Sequence, residues 1–471
     1  MSPNKWTDEQ KSILSTETQF LLIKAFAGTG KTSVLTQYTK IRPNNSFLYT
    51  SFNSHVIEDA KNKFSSGNTK VQNVHSLAYG QIGYLYKHKL KNDLNYKEIL
   101  EILLLDNDNA SVVISKLIKD VIVQYCYSHI KDIKLFINTI KIDKKISDII
   151  KDFSQKVWSK IVDTQNKYAI THDVYLKVYC NTDPMINYDY ILFDEAQDAN
   201  DALKMLFINQ IKFGKKVIFV GDIHQSIYAF RGTKNILKNI VPTEIKYLTN
   251  SFRFGENIAK YSNKILKLKG ENVKIVGDKT IKDKVGKIDF SKRFAVIART
   301  NAGVLSRALN LIGKGKKIYF IGGLKNYDFY KAKDVEHLYH GRIDRIKNMS
   351  ILKYNNFKEL LDKSVDDDQD IANFAKLVLS HEGNLIPKLE IIETITVENK
   401  KDANVILTNT HKAKGLEFNQ VLLANDFEKI PEDGIFRKHD IIKFEEELNN
   451  IYVAMTRAKK VLELNDNLKN I

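Results

Sequence analysis

The sequence predicts an α/β protein made of two parallel sheets, each covered by helices. Three observations lead there. Near the start, short apolar runs of strand length alternate with helical stretches, the order of a parallel sheet with helical crossovers. After about residue 250 a second set of the same kind begins. Between the strands of each set lies a long stretch with a different pattern, 81–185 in the first and 326–400 in the second, which reads as an insertion.

The elements follow in order. Gln19–Ala25 is a short apolar run, the signal of a buried strand, and Gly28 and Gly30 break it. Lys31–Lys40 suits a helix, Ser46–Thr50 a strand and Ser54–Phe64 another helix. Residues 81–185 are rich in Lys and Tyr and mostly helical in periodicity. Strand signals return at Tyr190–Asp194 and Lys216–Gly221. In the second set Phe294–Ala298, Lys317–Ile321, Asn404–Asn409 and Gln420–Ala424 read as strands. Residues 326–400 are charged and weakly patterned, with an acidic cluster at Asp366–Asp368. The expected organisation is therefore 1–80 with 186–250, carrying 81–185 as a helical insertion, then 251–325 with 401–471, carrying 326–400 as a reduced one. No repeat of fixed period is visible.

Composition bounds the function. The 471 residues leave room for roughly three or four structural units. Hydrophobic residues at 43% and charged residues at 27% suit a globular chain with a sizeable core. The net charge of +17 fits a polyanionic partner such as nucleic acid, and equally a general bias toward Lys. Cys126 and Cys180 sit in no metal-ligand spacing, so neither a zinc site nor a disulfide framework is expected, and a reducing compartment is. The first ten residues are polar and no apolar run reaches the roughly 20 residues of a membrane span, so neither export nor a membrane partner is expected.

The chemistry starts at Ala25-Phe26-Ala27-Gly28-Thr29-Gly30-Lys31-Thr32, followed by Ser33. It fits the phosphate-binding pattern G-x-x-x-x-G-K-[ST], with Ala25 in place of the first glycine. The glycines let backbone N–H groups close around phosphate oxygens, Lys31 neutralises the β- and γ-phosphates, and the Thr32 hydroxyl can hold Mg²⁺. A partner carboxylate is needed for the metal, and Ile191-Leu192-Phe193-Asp194-Glu195-Ala196-Gln197-Asp198 supplies it at a strand end. Asp194 is the metal ligand, through water, and Glu195 the general base for the attacking water. ATP and Mg²⁺ are the expected cofactors.

More motifs accompany these: Thr7–Gln10, Thr50–Asn53, Val74–Leu77, Gly221–Gly232, Ser251–Phe254, His411–Phe418 and Tyr452–Ala458. In this order the set resembles the UvrD/Rep group of superfamily 1 DNA helicases over almost the whole chain. Within it, Val74–Gly80, Thr171–Lys177, His224 and Ile321–Lys325 resemble the F-box DNA helicase family. The resemblance implies two RecA-like domains and a motor that moves 3′→5′ along single-stranded DNA, hydrolysing ATP between alternating grips. This chain differs from the eukaryotic members in starting at the helicase core, so no F-box and no ubiquitin-ligase role are expected. With little chain after Arg457, no fused nuclease is expected.

The resemblance also implies roles. Gln10 matches the adenine-reading glutamine and Phe252 the aromatic that stacks on adenine. Arg253 and Arg457 match the two arginines that contact the γ-phosphate, a task suited to a guanidinium. Gln225 matches the γ-phosphate sensor and Glu417 the ribose-binding carboxylate. Because Lys31, Asp194, Glu195 and Gln225 belong to the first set of strands and Arg253 and Arg457 to the second, ATP is expected to draw the two together. For the DNA track, Phe52, Asn53, His75, Tyr228, Phe230, Arg231 and His411 lie in motifs along the single-strand path, where aromatic faces stack on bases. Core packing is the alternative for the aromatics, and Lys412 and Lys414 fit either a backbone contact or solvent. The expected partners are single-stranded DNA and its junctions with duplex, with room for a separate nuclease or recombinase. The expected setting is DNA repair, recombination or replication, in a nucleoid-associated, nuclear or viral-factory location. An RNA-directed helicase and an ATP-binding regulator without turnover are the competing readings.

Overall fold

The structure is a computed structural model that describes residues 6–228, 237, 240–431 and 441–469. The chain divides into two compact units, Met1–Leu248 and Thr249–Ile471.

In the first unit the strands are β1 (Phe20–Ala25), β2 (Phe47–Ser51), β3 (Thr69–Val71), β4 (Tyr190–Asp194), β5 (Lys216–Gly221) and β6 (Glu244–Leu248). Among the described residues they form one sheet in the order β3-β2-β4-β5-β1-β6. All its pairings are parallel. Both faces are covered, so its central strands are almost continuously apolar. Phe20, Leu22 and Leu48 face one core, and Leu21, Ile23, Phe47 and Tyr49 the other, the period-two alternation of a strand. The chain leaves β1 for β2 and later fills the places between them with β4 and β5. Strand order reverses beside β1, and in such sheets ligands bind at the carboxyl ends of the strands near that point.

Between β3 and β4 run the helices Val74–Gln81, Tyr96–Leu103, Asn109–Tyr127, Ile133–Ile137, Ser147–Val162 and His172–Asn181. Their apolar faces do not close on themselves. Ile99, Ile118, Ile122, Val157 and Tyr175 join one core with Phe20, Leu22, Ile191 and Phe219 of the sheet. The helical stretch is thereby fastened to the strands that carry the phosphate loop.

The second unit has β7 (Lys284–Val285), β8 (Phe294–Ala298), β9 (Ile318–Phe320), β10 (Val405–Asn409), β11 (Phe418–Leu423) and β12 (Ala458–Glu463). Among the described residues these form a second parallel sheet in the order β7-β12-β11-β8-β10-β9. The α/β fold with two parallel sheets is therefore as the sequence predicts. Residues 326–400, charged in sequence and expected as a small, mainly helical insertion, are helical. They contain the helices Phe329–Tyr339, Met349–Leu352, Phe357–Asp367, Gln369–Ser380 and Ile386–Ile395. Val335, Leu360, Phe374 and Leu389 pack into one core with Phe294, Val296 and Leu407 of the sheet.

Four strands escaped the sequence reading, and their composition explains it. β3 and β7 have three and two residues and little apolar content. β6 (EIKYL) and β12 (AKKVLE) mix charged and apolar residues, because β6 is an edge strand and β12 lies next to one. The helix expected over Ser54–Phe64 ends at Lys61. Among the described residues no helix is long and apolar enough to cross a membrane.

Candidate functional site

In the first unit the site is built at the carboxyl ends of β1, β4 and β5. β1 ends at Ala25, and the helix Lys31–Lys40 starts six residues later. Gly28 and Gly30 make the turn with φ of 76° and 78°, a left-handed backbone that costs glycine little. Thr29 is buried, and its hydroxyl closes the loop on the Phe26 carbonyl at 2.9 Å. Gly30 caps the helix without a side chain, so the first-turn N–H groups face outward as a seat for an anion. Ala27 is buried within the loop, and Ser33 is exposed.

The acidic pair sits opposite. β2 and β4 pair in register, with Ser51 beside Asp194. Asp194 is buried; its Oδ2 accepts from the Tyr49 hydroxyl at 2.5 Å and its Oδ1 from the Glu195 N–H at 2.8 Å. Glu195 turns the chain with φ of 52°, a strained value for a non-glycine residue. Its Oε1 accepts from Lys31 Nζ at 2.7 Å. Burial works against the Lys31 charge, but the Glu195 and Asp194 carboxylates outweigh it and hold the ammonium above its usual range. Burial and the Glu195 charge push the Asp194 carboxyl up, against the pull of Lys31. Burial and Asp194 also push the Tyr49 hydroxyl up.

A hydrogen-bonded relay leads on from Glu195. The buried Gln197 donates to Glu195 Oε2 at 2.5 Å and accepts the Asp222 N–H at 3.1 Å. Asp222 accepts from the Gln225 amide at 2.7 Å. The relay thus joins the expected general base to the expected γ-phosphate sensor. Phe26 of the loop stacks flat on His224, with ring centroids 5.7 Å apart. Gln10 is buried on the helix Asp8–Ser15, and its Oε1 accepts the Thr7 N–H at 3.1 Å in a capping box.

Next to the sheet lies an aromatic and histidine cluster. Phe52 packs against the ring of His75 at 5.4 Å, and Asn53 follows it at the start of the helix Ser54–Lys61. His75 Nε2 lies 3.2 Å from Asp173 Oδ1, and the Tyr127 hydroxyl donates to Asp173 Oδ2 at 3.2 Å. The Tyr175 hydroxyl donates to the His75 carbonyl at 3.3 Å and lies 3.0 Å from His172 Nδ1. Asp173 and Tyr175 were not among the expected site residues, although Thr171–Lys177 carried the signal. Tyr228 is half-buried, while Phe230 and Arg231 lie outside the described residues.

In the second unit the expected nucleotide residues also come together. Arg253 Nε donates to Glu417 Oε1 at 2.8 Å and Arg253 Nη1 to the Thr456 carbonyl at 3.0 Å. Burial would raise the Glu417 carboxyl, but Arg253 outweighs it and brings it below its usual range. Phe252 is 45% exposed, a ring left available for stacking. Arg457 is 1% exposed and donates to the Val453 carbonyl at 2.9 Å and to the Thr456 hydroxyl at 3.1 Å. In this conformation it faces its own segment rather than solvent. His411 lies in the short helix Thr410–Ala413. Lys412, open in the sequence, is held by the chain itself: it donates to the Asn326 carbonyl at 2.7 Å and lies over the Tyr327 ring.

Comparison with known proteins agrees with this layout. Residues 66–467 match the model of the UvrD-like helicase C-terminal domain. The chain is 31% identical to the F-box DNA helicase protein 1 of Schizosaccharomyces pombe over 99% of its own length and 58% of the relative's. It is 33% identical to F-box DNA helicase 1 of Gallus gallus over all of its length and 50% of the relative's. With the ATP-dependent DNA helicase PcrA of Bacillus subtilis the identity is 26% over 41% of the chain and 31% of the relative. The chain thus spans about half the length of the F-box helicases it matches. The parallel sheets, the phosphate loop facing an acidic pair and these matches lead to one conclusion: the chain belongs to the UvrD-like helicase family.

Proposed function

We propose that the protein is an ATP-driven motor on single-stranded DNA that moves 3′→5′ and opens duplex or displaces bound protein, serving DNA repair, recombination or replication. The observation that carries the reading is the contact of Lys31 with Glu195 beside the buried Asp194. The chemistry follows from these groups. Incoming phosphates compete for Lys31, and Glu195 loses its cationic partner and is freed to accept a proton. A water oxygen then bonds to the γ-phosphorus, the bond to the β,γ-bridging oxygen breaks, and Glu195 takes the water proton. The donor set fits Mg²⁺: the Thr32 hydroxyl, in the first turn of the helix after the loop, and the Asp194 carboxylate, held by the Tyr49 hydroxyl, are hard oxygen ligands. A bound Mg²⁺ would neutralise phosphate charge there.

The remaining assignments belong to the same proposal. Gln10 and Phe252 read and stack on adenine, Glu417 binds ribose, Gln225 senses the γ-phosphate, and Arg253 and Arg457 contact it. Arg457 must turn out of its buried seat to do so. Phe52, Asn53, His75, Tyr228, Phe230, Arg231 and His411 serve the DNA track. The relay from Glu195 through Gln197 and Asp222 to Gln225 supports coupling, since the expected track residue Tyr228 follows three residues later. The expected result is strand separation on a 3′-tailed duplex with ATP and Mg²⁺, and little on a 5′-tailed one. The reverse preference overturns the polarity, and no opening of either, nor removal of bound protein, overturns the motor.

A further inference from the structure

We infer that Tyr49 is a positioning residue for the metal–nucleotide site, a hydroxyl that holds the expected Mg²⁺ ligand Asp194 in place. The inference rests on the nucleotide reading above and adds a residue to it. Tyr49 lies in the middle of β2, fully buried, and its ring packs against Phe64 with centroids 4.6 Å apart. Its neighbours in that core are apolar: Ile23, Phe47, Leu192 and Val220. A phenylalanine would fill the same volume without carrying a polar group into the core. A buried hydroxyl costs stability unless it is hydrogen-bonded, so its presence calls for a partner.

The partner it finds is a side chain on which Mg²⁺ binding would depend. The hydroxyl donates to Asp194 Oδ2 at 2.5 Å. Asp194 ends β4, the strand paired with β2, so Tyr49 ties the carboxylate at the end of one strand to the buried middle of its neighbour. With Oδ1 held by the Glu195 N–H, both Asp194 oxygens have a fixed donor, so the carboxylate cannot rotate. Each oxygen keeps a second lone pair for a metal-bound water. The hydroxyl thus sets the direction of the remaining lone pairs before nucleotide arrives. A ligand fixed in this way loses less freedom on binding.

The test is a Mg²⁺ titration of the binding of a fluorescent ADP analogue to the full chain, wild type beside Tyr49→Phe, with thermal unfolding as a check on folding. The Mg²⁺ concentration for half-maximal binding should rise about tenfold in the variant, the loss expected for one hydrogen bond to a charged group. Binding of the same analogue in EDTA should change less than about twofold, because Lys31 and the loop are untouched. A purely structural role would weaken both alike. Should Tyr49→Phe fold poorly, Tyr49→Leu, read the same way, stands in for it. Superimposable Mg²⁺ curves overturn the inference alone. Absence of Mg²⁺-dependent binding in the wild type overturns the nucleotide reading, and the inference with it.

Discussion

At the residue scale, the site is a balance of opposed charges held out of water. Lys31 is satisfied by Glu195, and Glu195 is held also by Gln197, so the carboxylate proposed as base is restrained until something competes for its partners. This gives a signed prediction. Glu195→Gln should lower ATP turnover by about a hundredfold or more, the usual worth of a general base. It should leave nucleotide binding equal or tighter, because Lys31 loses a competitor. Steady-state turnover and a nucleotide titration measure the two effects, and a variant that loses binding instead would show Glu195 to be a structural anchor. The residues of this balance were legible in the sequence because phosphate binding fixes both type and spacing, as at Gly28, Gly30, Lys31 and Thr32. Tyr49, Asp173 and the inward turn of Arg457 were not. Their roles come from side-chain packing across separate elements, which no local spacing encodes.

At the element scale, the sheet ends impose their own requirements. β5 ends at Gly221, where an added Cβ would lie 2.2 Å from Gln197 Oε1 and 3.2 Å from the Ala196 N–H nitrogen. The segment Ala196–Asp198 crosses so close to β5 that only glycine leaves room for the relay. Gly221→Ala should therefore push Gln197 away and cut DNA-stimulated ATP turnover at least about tenfold, the effect of a misplaced catalytic group. Turnover kinetics of the folded variant test this, and wild-type rates would show that the relay does not matter. The strands legible from sequence were the central ones β1, β2, β4, β5, β8, β10 and β11, whose apolar runs reflect cover on both faces, and the apolar edge strand β9. Edge strands such as β6 and β7 answer to solvent on one side and lose that signal.

At the scale of the whole molecule, each unit carries its own set of expected residues on a parallel sheet. The first holds the loop Ala25–Thr32, the acidic pair and the relay, and the second holds Phe252, Arg253, Glu417 and Arg457. The net charge of +17 suits a polyanionic track, on which binding should weaken as salt rises. The central claim is that ATP hydrolysis at Lys31, Asp194 and Glu195 answers to single-stranded DNA. The most direct measurement is the ATP turnover of the purified chain with and without single-stranded DNA, beside Lys31→Ala. The account predicts turnover that rises at least about tenfold with DNA and is abolished in the variant, as loss of the phosphate-binding lysine requires. Turnover indifferent to DNA, or unaffected by Lys31→Ala, would contradict it.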